Sequence, residues 1–469
     1  IQDNDIKDNS FAAIQFQPSS FCTIDNNSCV NNTLGILFWG SRNNTVTNNR
    51  CVNNSNTGIH AEHRSDNSTF IGNNCNGNGY QGIKIHNATN CTIRDNVCNS
   101  NQIDGLQFVL SKNCDILENT FSFNTRYGIE MSYSCCNAVH NNTLCYNDQD
   151  GIRLSSCSNN ELSANVIEQN TDNGIYLYDH SNQNTLSENE VIKNDFGIYL
   201  NRGSNQNKIE NNNCSNNTQY GIYFHNDDGH QIGCEENIVR NNTFDLNQIG
   251  MYVVGSDNNT IINNTGEENF EGICLSSTDL TIIGNNTLSN NRNHGIYLAG
   301  SANNTVLSNI CSQNYYQGIY LKYDDCRNNT LKNNTCTFNY QGIRLEEGPS
   351  QNLIMSNTFS NNSNYGLYLN ESVNNLIYNN VICDNLHQAF DDGINTWNTT
   401  KNLQENIIGG DYLGGNYWND YIGVDADGDG LGDTPYSIPG GASADSLPLV
   451  DTTYDTTDPV VTLTEPTDG

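Results

Sequence analysis

The sequence predicts an all-β chain, a right-handed parallel β-helix (solenoid) of about 16 turns, on three observations. Two asparagines five residues apart, in the form N-x-φ-x-x-N, recur at a step of roughly 23 residues. The first of the pair falls at Asn27, Asn49, Asn73, Asn96, Asn119 and Asn142 and continues to Asn357 and Asn380; the second runs from Asn32 to Asn385. Each copy also carries Gly-φ-x-φ, as at Gly82, Gly151 and Gly295. Apolar residues hold two further fixed places, one before the first asparagine (Val46, Ile93, Ile116) and one between the asparagines (Cys29, Cys51, Phe121, Leu144), with Gly266 the one gap. A fixed period in the range of about 20–50 residues signals stacked supersecondary units.

Each element follows in chain order. After the repeat glycine, apolar and polar residues alternate (Ile83 and Ile85, Ile152 and Leu154), which reads as a short half-buried strand. The apolar place before the first asparagine marks a second strand, and the place between the asparagines a third. None is long enough to stand alone; stacked turn on turn they become parallel sheets around one core, with the right-handed crossover favoured. Helical repeats are excluded by the Asn and Gly content of the intervening stretches. Two reasons account for the asparagine columns: Asn tolerates left-handed backbone at sharp corners, and turns ~4.8 Å apart allow amide side chains to bond from one turn to the next.

The period ends after Asn385, which divides the chain into a β-helix over 1–388, a cap over 389–450 and, at 451–469, a Pro/Thr/Asp linker entering a β-sandwich-type module. The chain starts inside a repeat, as an excised or mature part of a longer precursor would. With 52 acidic against 19 basic side chains and a net charge of −33, the composition excludes a nucleic-acid binder, which needs Lys and Arg against phosphate. No apolar run approaches the ~20 residues of a membrane span. Sequons such as Asn43-Asn44-Thr45 would carry glycans on the turns of an exported chain, a glycoprotein. Of the 18 cysteines, Cys29, Cys51, Cys75, Cys98, Cys214, Cys311 and Cys336 stand in the inner column, where a thiol serves as a small apolar group. Cys91 and Cys114 fall in another column on adjacent turns, where free thiols and a disulfide are both open readings.

The residue two after each glycine points outward, and this column has two parts. Its later part is a tyrosine ladder, Tyr176, Tyr199, Tyr223, Tyr252, Tyr297 and Tyr320, amphipathic rings suited to a glycan or a protein contact. Its early part gathers His60, Lys84, Glu130 and Arg153, with Glu62, His63, His86 and Trp39 nearby. A base beside a sugar C–H and cations against a uronate are what a polysaccharide lyase or epimerase requires, so His60, Lys84, His86, Glu130 and Arg153 are the candidate catalytic residues. One longer turn holds His225, Asp227, Asp228, His230, Glu235 and Glu236, a candidate ligand loop. In the cap, Asp425-Ala-Asp-Gly-Asp-Gly-Leu-Gly-Asp433 follows the start of an EF-hand-type calcium loop, with side-chain oxygens from Asp425, Asp427, Asp429 and Asp433 and the Leu431 carbonyl. The glutamate usual at the twelfth place is replaced by Tyr436, leaving Asp420 or Asp445 to complete the shell.

The Gly-Ile-Tyr-Leu and Asn-Asn-Thr phrases, together with Asn416-Tyr-Trp-Asn-Asp-Tyr421 and the Asp-Gly-Asp-Gly tail, resemble the NosD-like family of parallel β-helix repeats, also described as carbohydrate-binding/sugar-hydrolysis repeats. The tail looks most like exported archaeal cell-surface members. The resemblance spans nearly all of residues 1–450. It implies an exported protein and, by the family name, periplasmic copper delivery; the chain holds 3 Met and no His/Met cluster, and lacks the Asp-Pro-His-Asp of the alginate-epimerase relatives. The leading expectation is a calcium-bearing rod of roughly 75 Å on the cell surface or in the matrix. Its structural, adhesive or glycan-binding partner would be a glycan or another copy of itself, in a homo-oligomer or filament. The alternatives are a polysaccharide lyase, epimerase or hydrolase on the outward face, and a copper-binding protein.

Overall fold

The structure, a computed structural model, describes residues 1–226 and 232–451. It is a parallel β-solenoid without a helix among the described residues. Two long sheets each stack seventeen strands. The first sheet carries the Gly-φ-x-φ strands, from Ala12–Phe16 to His387–Asp391, and the second runs from Thr23–Asp25 to Ile394–Thr396. A third, discontinuous sheet is made of strands such as Thr143–Cys145 and Thr335–Thr337, joined elsewhere by single bridges. Pairing is parallel and in register, Ile83 against Leu106 against Ile129. The inward columns fill a continuous core in which Ile93, Ile116, Phe121 and Leu144 are fully buried. The gap at Gly266 is closed by its neighbours: a β-carbon there would sit 2.3 Å from the ring of Phe244. The repeat glycines are required by close approach, since a β-carbon on Gly105 would stand 2.8 Å from the carbonyl oxygen of Gly128 on the next turn.

The asparagine columns form the expected ladders, more fully bonded than expected. Asn96 Oδ1 accepts from both Asn73 N and Asn73 Nδ2 at 2.9 Å. Asn96 Nδ2 donates to the Phe70 carbonyl at 2.9 Å and to Asn119 Oδ1 at 3.0 Å. Asn96 thereby satisfies all four of its side-chain bonding positions inside the wall, which is why it tolerates burial. The second column repeats the amide-to-amide bond at Asn101 and Asn124, and a third ladder runs through Asn137, Asn160 and Asn184. One part of the expectation is corrected. The left-handed residue is the one preceding each ladder asparagine, as at Asn53 (φ 55°), Glu118 (φ 58°) and Phe123 (φ 60°). The corner turns first, and its turn aims the following amide along the stack.

The ladder runs on into the segment assigned to the cap. Asn380 Nδ2 donates to Asn416 Oδ1 at 2.8 Å, and Tyr417–Trp418 pairs with Val381–Cys383. Trp397 and Trp418, both buried, close this end of the core at 5.8 Å between ring centres. Their indole N–H groups donate to Asp391 Oδ2 at 2.8 Å and Asp445 Oδ2 at 2.9 Å. No helix among the described residues is long and apolar enough to cross a membrane.

Candidate ligand cleft

The first sheet places the outward column in one unbroken line, Leu37–His60–Lys84–Gln107–Glu130–Arg153–Tyr176. Over the early turns the line forms the floor of a cleft of about 580 Å³. Trp39 and Tyr80, 44% and 48% exposed, are among its walls, and His60, Glu62, Lys84, Gln107 and Arg126 supply its polar lining. That size is in the range of small-ligand sites.

The polar groups are unevenly satisfied. Glu62 Oε2 is the focus of three imidazoles, at 3.7 Å from His60 Nε2 and 3.9 Å from both His63 Nε2 and His86 Nδ1. His60 Nε2 is buried and has no hydrogen-bond partner. Burial is the chief cause that takes the His60 imidazole down to about 4, with Glu62 acting in the opposite direction and Lys84 reinforcing the fall. Among the described residues, Lys84 Nζ has neither an ion-pair nor a hydrogen-bond partner.

Further along, the remaining candidates are tightly engaged. Gln107 Nε2 donates to Glu130 Oε2 at 2.7 Å, and Arg126 Nη2 donates to the same oxygen at 2.8 Å. Arg126 also forks onto the buried Asp104, Nε to Oδ1 at 3.0 Å and Nη2 to Oδ2 at 3.1 Å. Arg153 Nη1 donates to Tyr127 Oη at 3.0 Å and lies 3.6 Å from Asp150 Oδ2. The two guanidinium carbons stand 4.6 and 5.2 Å from the Tyr127 ring centre. Burial raises Asp104 and Asp150 to about 6 each, against the pull of Arg126 on the first and of Asn173 and Arg153 on the second.

The sequence reading gathered His60, Lys84, His86, Glu130 and Arg153 near Trp39; the structure sets His60 and His86 beside Glu62 with Lys84 in the same cleft, and Glu130 and Arg153 one and two turns beyond Gln107. The sequence reading missed Asp104, Tyr127 and Asp150. These occupy the place immediately before the repeat glycine, a column of polar residues (Thr57, Gln81, Asp104, Tyr127, Asp150, Asn173) that gives way to Phe196. The unbroken polarity was the available signal. Tyr80 and Arg126 lie on the connection into this column.

The tyrosine ladder is present and stacked along the rod axis. Tyr176 and Tyr199 are 4.7 Å apart at 3°, Tyr199 and Tyr223 4.9 Å at 13°, Tyr223 and Tyr252 5.6 Å at 14°, and Tyr297 and Tyr320 5.2 Å at 20°. Except where Cys274 interrupts it between Tyr252 and Tyr297, ring faces along it are covered by neighbouring rings, so it offers edges and hydroxyls outward. In the long turn, His225 Nδ1 is 3.1 Å from Tyr199 Oη; Asp227, Asp228 and His230 lie outside the described residues, as does the linker over 452–469.

In the cap, Asp425, Asp427 and Asp433 converge with one oxygen each within 4.8 Å of the others. Gly428 and Gly430 take φ 72° and 84°, and Gly430 N donates to Asp425 Oδ2 at 2.9 Å. Asp429 turns to Lys401 and accepts from Leu431 N at 2.8 Å. The carboxylate set suits a hard cation. The Cys29, Cys51 and Cys75 thiols are stacked in the core, where burial and one another hold them far above the usual range and therefore protonated.

The family profile described as "Periplasmic copper-binding protein (NosD)" matches residues 78–228, 169–266 and 231–423, well over half of the chain. The chain belongs to the NosD family. A second profile, "Right handed beta helix region", matches residues 1–144. No curated protein matches this NosD-family chain. Among solved structures it is similar to the Dettilon tailspike protein, at 17% identity and a TM-score of 0.45 over 64% of this chain and 62% of that one. It is also similar to a mannuronan C-5 epimerase A-module from Azotobacter vinelandii, at 13% identity, TM-score 0.33, over 72% and 88%. An alginate lyase from Paenibacillus sp. gives 12% identity, TM-score 0.32, over 52% and 94%. The family description names copper, and imidazole would suit it, but the three imidazoles around Glu62 do not converge on one point as the cap carboxylates do. The cluster that converges, Asp425, Asp427 and Asp433, is all carboxylate, and the core thiols are protonated and sealed from solvent.

Proposed function

We propose that this chain is an exported, cell-surface or matrix β-helix that binds an acidic glycan, seating a uronate-type sugar in the cleft over His60 and Lys84. One observation carries the reading: an ammonium without a counter-ion among the described residues stands in register with an imidazole whose buried Nε2 is unbonded among them, in a cleft walled by exposed aromatic rings. A carboxylate pairs with Lys84, a sugar hydroxyl bonds His60 Nε2, and Trp39 and Tyr80 cover an apolar sugar face. The tyrosine ladder extends the floor with a strip of hydroxyls for the rest of the chain. Calcium is held by Asp425, Asp427 and Asp433, with Asp429 and the Leu431 carbonyl as further oxygens, and it braces the cap. Glycans on the exposed sequon corners suit the same exported role.

A second reading, uronate lyase or epimerase chemistry, has one observation in its favour. The Tyr127 hydroxyl accepts from Arg153 beside two buried carboxyls, a setting for a phenol that moves a proton. An array of acidic and neutral oligosaccharides, read for binding and by mass spectrometry for product, tests both. Binding of acidic chains without product supports the first reading. Product that disappears in Tyr127→Phe replaces it with the second, and no acidic-glycan binding overturns both.

A further inference from the structure

About eight turns from the Lys84 cleft, the corner leading from the third sheet into the first changes character. The residue after each second ladder asparagine is small or polar in early turns, as at Ser55, Gly79, Thr125 and Thr171. It then becomes Phe270, Arg292, Tyr315 and Tyr340 in consecutive turns. Phe270, Arg292 and Tyr315 are structurally equivalent, each donating its backbone N–H to the carbonyl of the ladder asparagine one turn before, Asn247, Asn269 and Asn291. Phe270 is 48% and Tyr315 70% exposed. Two cavities of about 570 and 530 Å³ share Phe270 and Arg292 and so form one groove along the axis.

The geometry points to this groove as a second, separate glycan site, for a neutral oligosaccharide of pyranose rings lying along the rod. Three features select that occupant. The ring faces are open, unlike those of the tyrosine ladder: Phe270 has no aromatic partner among the described residues, and Tyr315 meets Tyr316 edge to face at 83°. The rest of the lining is rich in carboxamide, Gln248, Asn290 and Gln313 among it, which gives and accepts hydrogen bonds as sugar hydroxyls do. The charge is balanced, one guanidinium (Arg292) against one carboxylate (Glu268), so the groove has no net attraction for a uronate. A second copy of this chain would instead bring a strongly acidic surface against it. Turns ~4.8 Å apart present a new residue at the step by which an extended pyranose chain advances.

The test is calorimetric titration of cellohexaose and chitohexaose into the whole chain, its Phe270→Ala, Tyr315→Ala and Tyr315→Phe variants, and Lys84→Ala. All substituted side chains are exposed or half-buried, and circular dichroism checks the fold. The expected result is binding of at least one neutral hexamer, weakened tenfold or more by Phe270→Ala and by Tyr315→Ala. Tyr315→Phe and Lys84→Ala leave it unchanged. No binding of either hexamer, or binding indifferent to both alanine variants, overturns the assignment, as does Phe270-dependent self-association in sedimentation. Because the hexamers are neutral and the uronate cleft is tested separately with acidic oligosaccharides, failure here and failure of the cleft reading are distinguishable.

Discussion

Lys84 lies in direct register with His60 on the neighbouring strand of the first sheet, and among the described residues neither its ammonium nor the buried Nε2 of His60 has a bonding partner. A buried imidazole nitrogen without a partner costs of order 1–3 kcal/mol. That cost is recovered when a ligand supplies the missing group. Replacing Lys84 with alanine is expected to weaken acidic-oligosaccharide binding by tenfold or more while leaving thermal stability unchanged, as judged by titration and melting on the same samples. Raising the salt concentration weakens the parent and hardly affects the variant.

The ladders make a sharp prediction about stability. Asn119 Oδ1 accepts two bonds and its Nδ2 donates two, at 2.9–3.0 Å. Asn119→Ala strands buried partners on both adjacent turns and is expected to cost about 3 kcal/mol or more. At the exposed left-handed corner beside it, Asn141→Ala loses only about 1 kcal/mol of backbone preference. Urea titrations of the two variants check the contrast.

The buried titratable groups give opposite pH dependences. Asp150, raised to about 6 by burial, keeps a proton in the folded state that the unfolded chain releases from about pH 4. Its contribution is therefore present below pH 4 and lost as pH rises towards 6. His60, brought down to about 4 by burial, stays neutral while the unfolded chain takes up a proton from about pH 6.5, so its contribution is lost as pH falls from 6.5 to 4. Asp150→Asn should gain on the parent between pH 4 and 6, and His60→Gln should gain on it as pH drops below 6.5. Urea midpoints taken across pH 4–8 decide both.

Calcium should raise the melting temperature through the cap. Asp427→Asn is expected to abolish the shift, since Asp427 belongs to the converging set. Asp429→Asn should weaken it less, because Asp429 already holds Lys401. A melt with calcium and with chelator distinguishes the two variants.

Much of this was legible in the residues themselves. The asparagine period gave the turn, and the glycine phrase gave the outward column residue for residue, because a strand's alternation fixes which side chains face out. The left-handed corners were misplaced by one residue. The N-x-φ-x-x-N pattern marks the amide that bonds, whereas the corner before it is often Asn but also takes residues such as Glu118 and Phe123. Asp104, Tyr127 and Asp150 escaped notice because they precede the glycine, where the strand has not begun and alternation says nothing about facing. The stacking of the tyrosine rings depends on side-chain rotation, which spacing does not encode. The free faces of Phe270 and Tyr315 depend on how the connection projects from the corner.

The most direct measurement is a crystal structure of the chain with a uronate tetrasaccharide. The predicted result is a sugar carboxylate within ~3 Å of Lys84 Nζ, a hydroxyl on His60 Nε2, and a ring face against Trp39 or Tyr80. A tetrasaccharide bound elsewhere, with Lys84 still facing solvent, would contradict the assignment of this cleft.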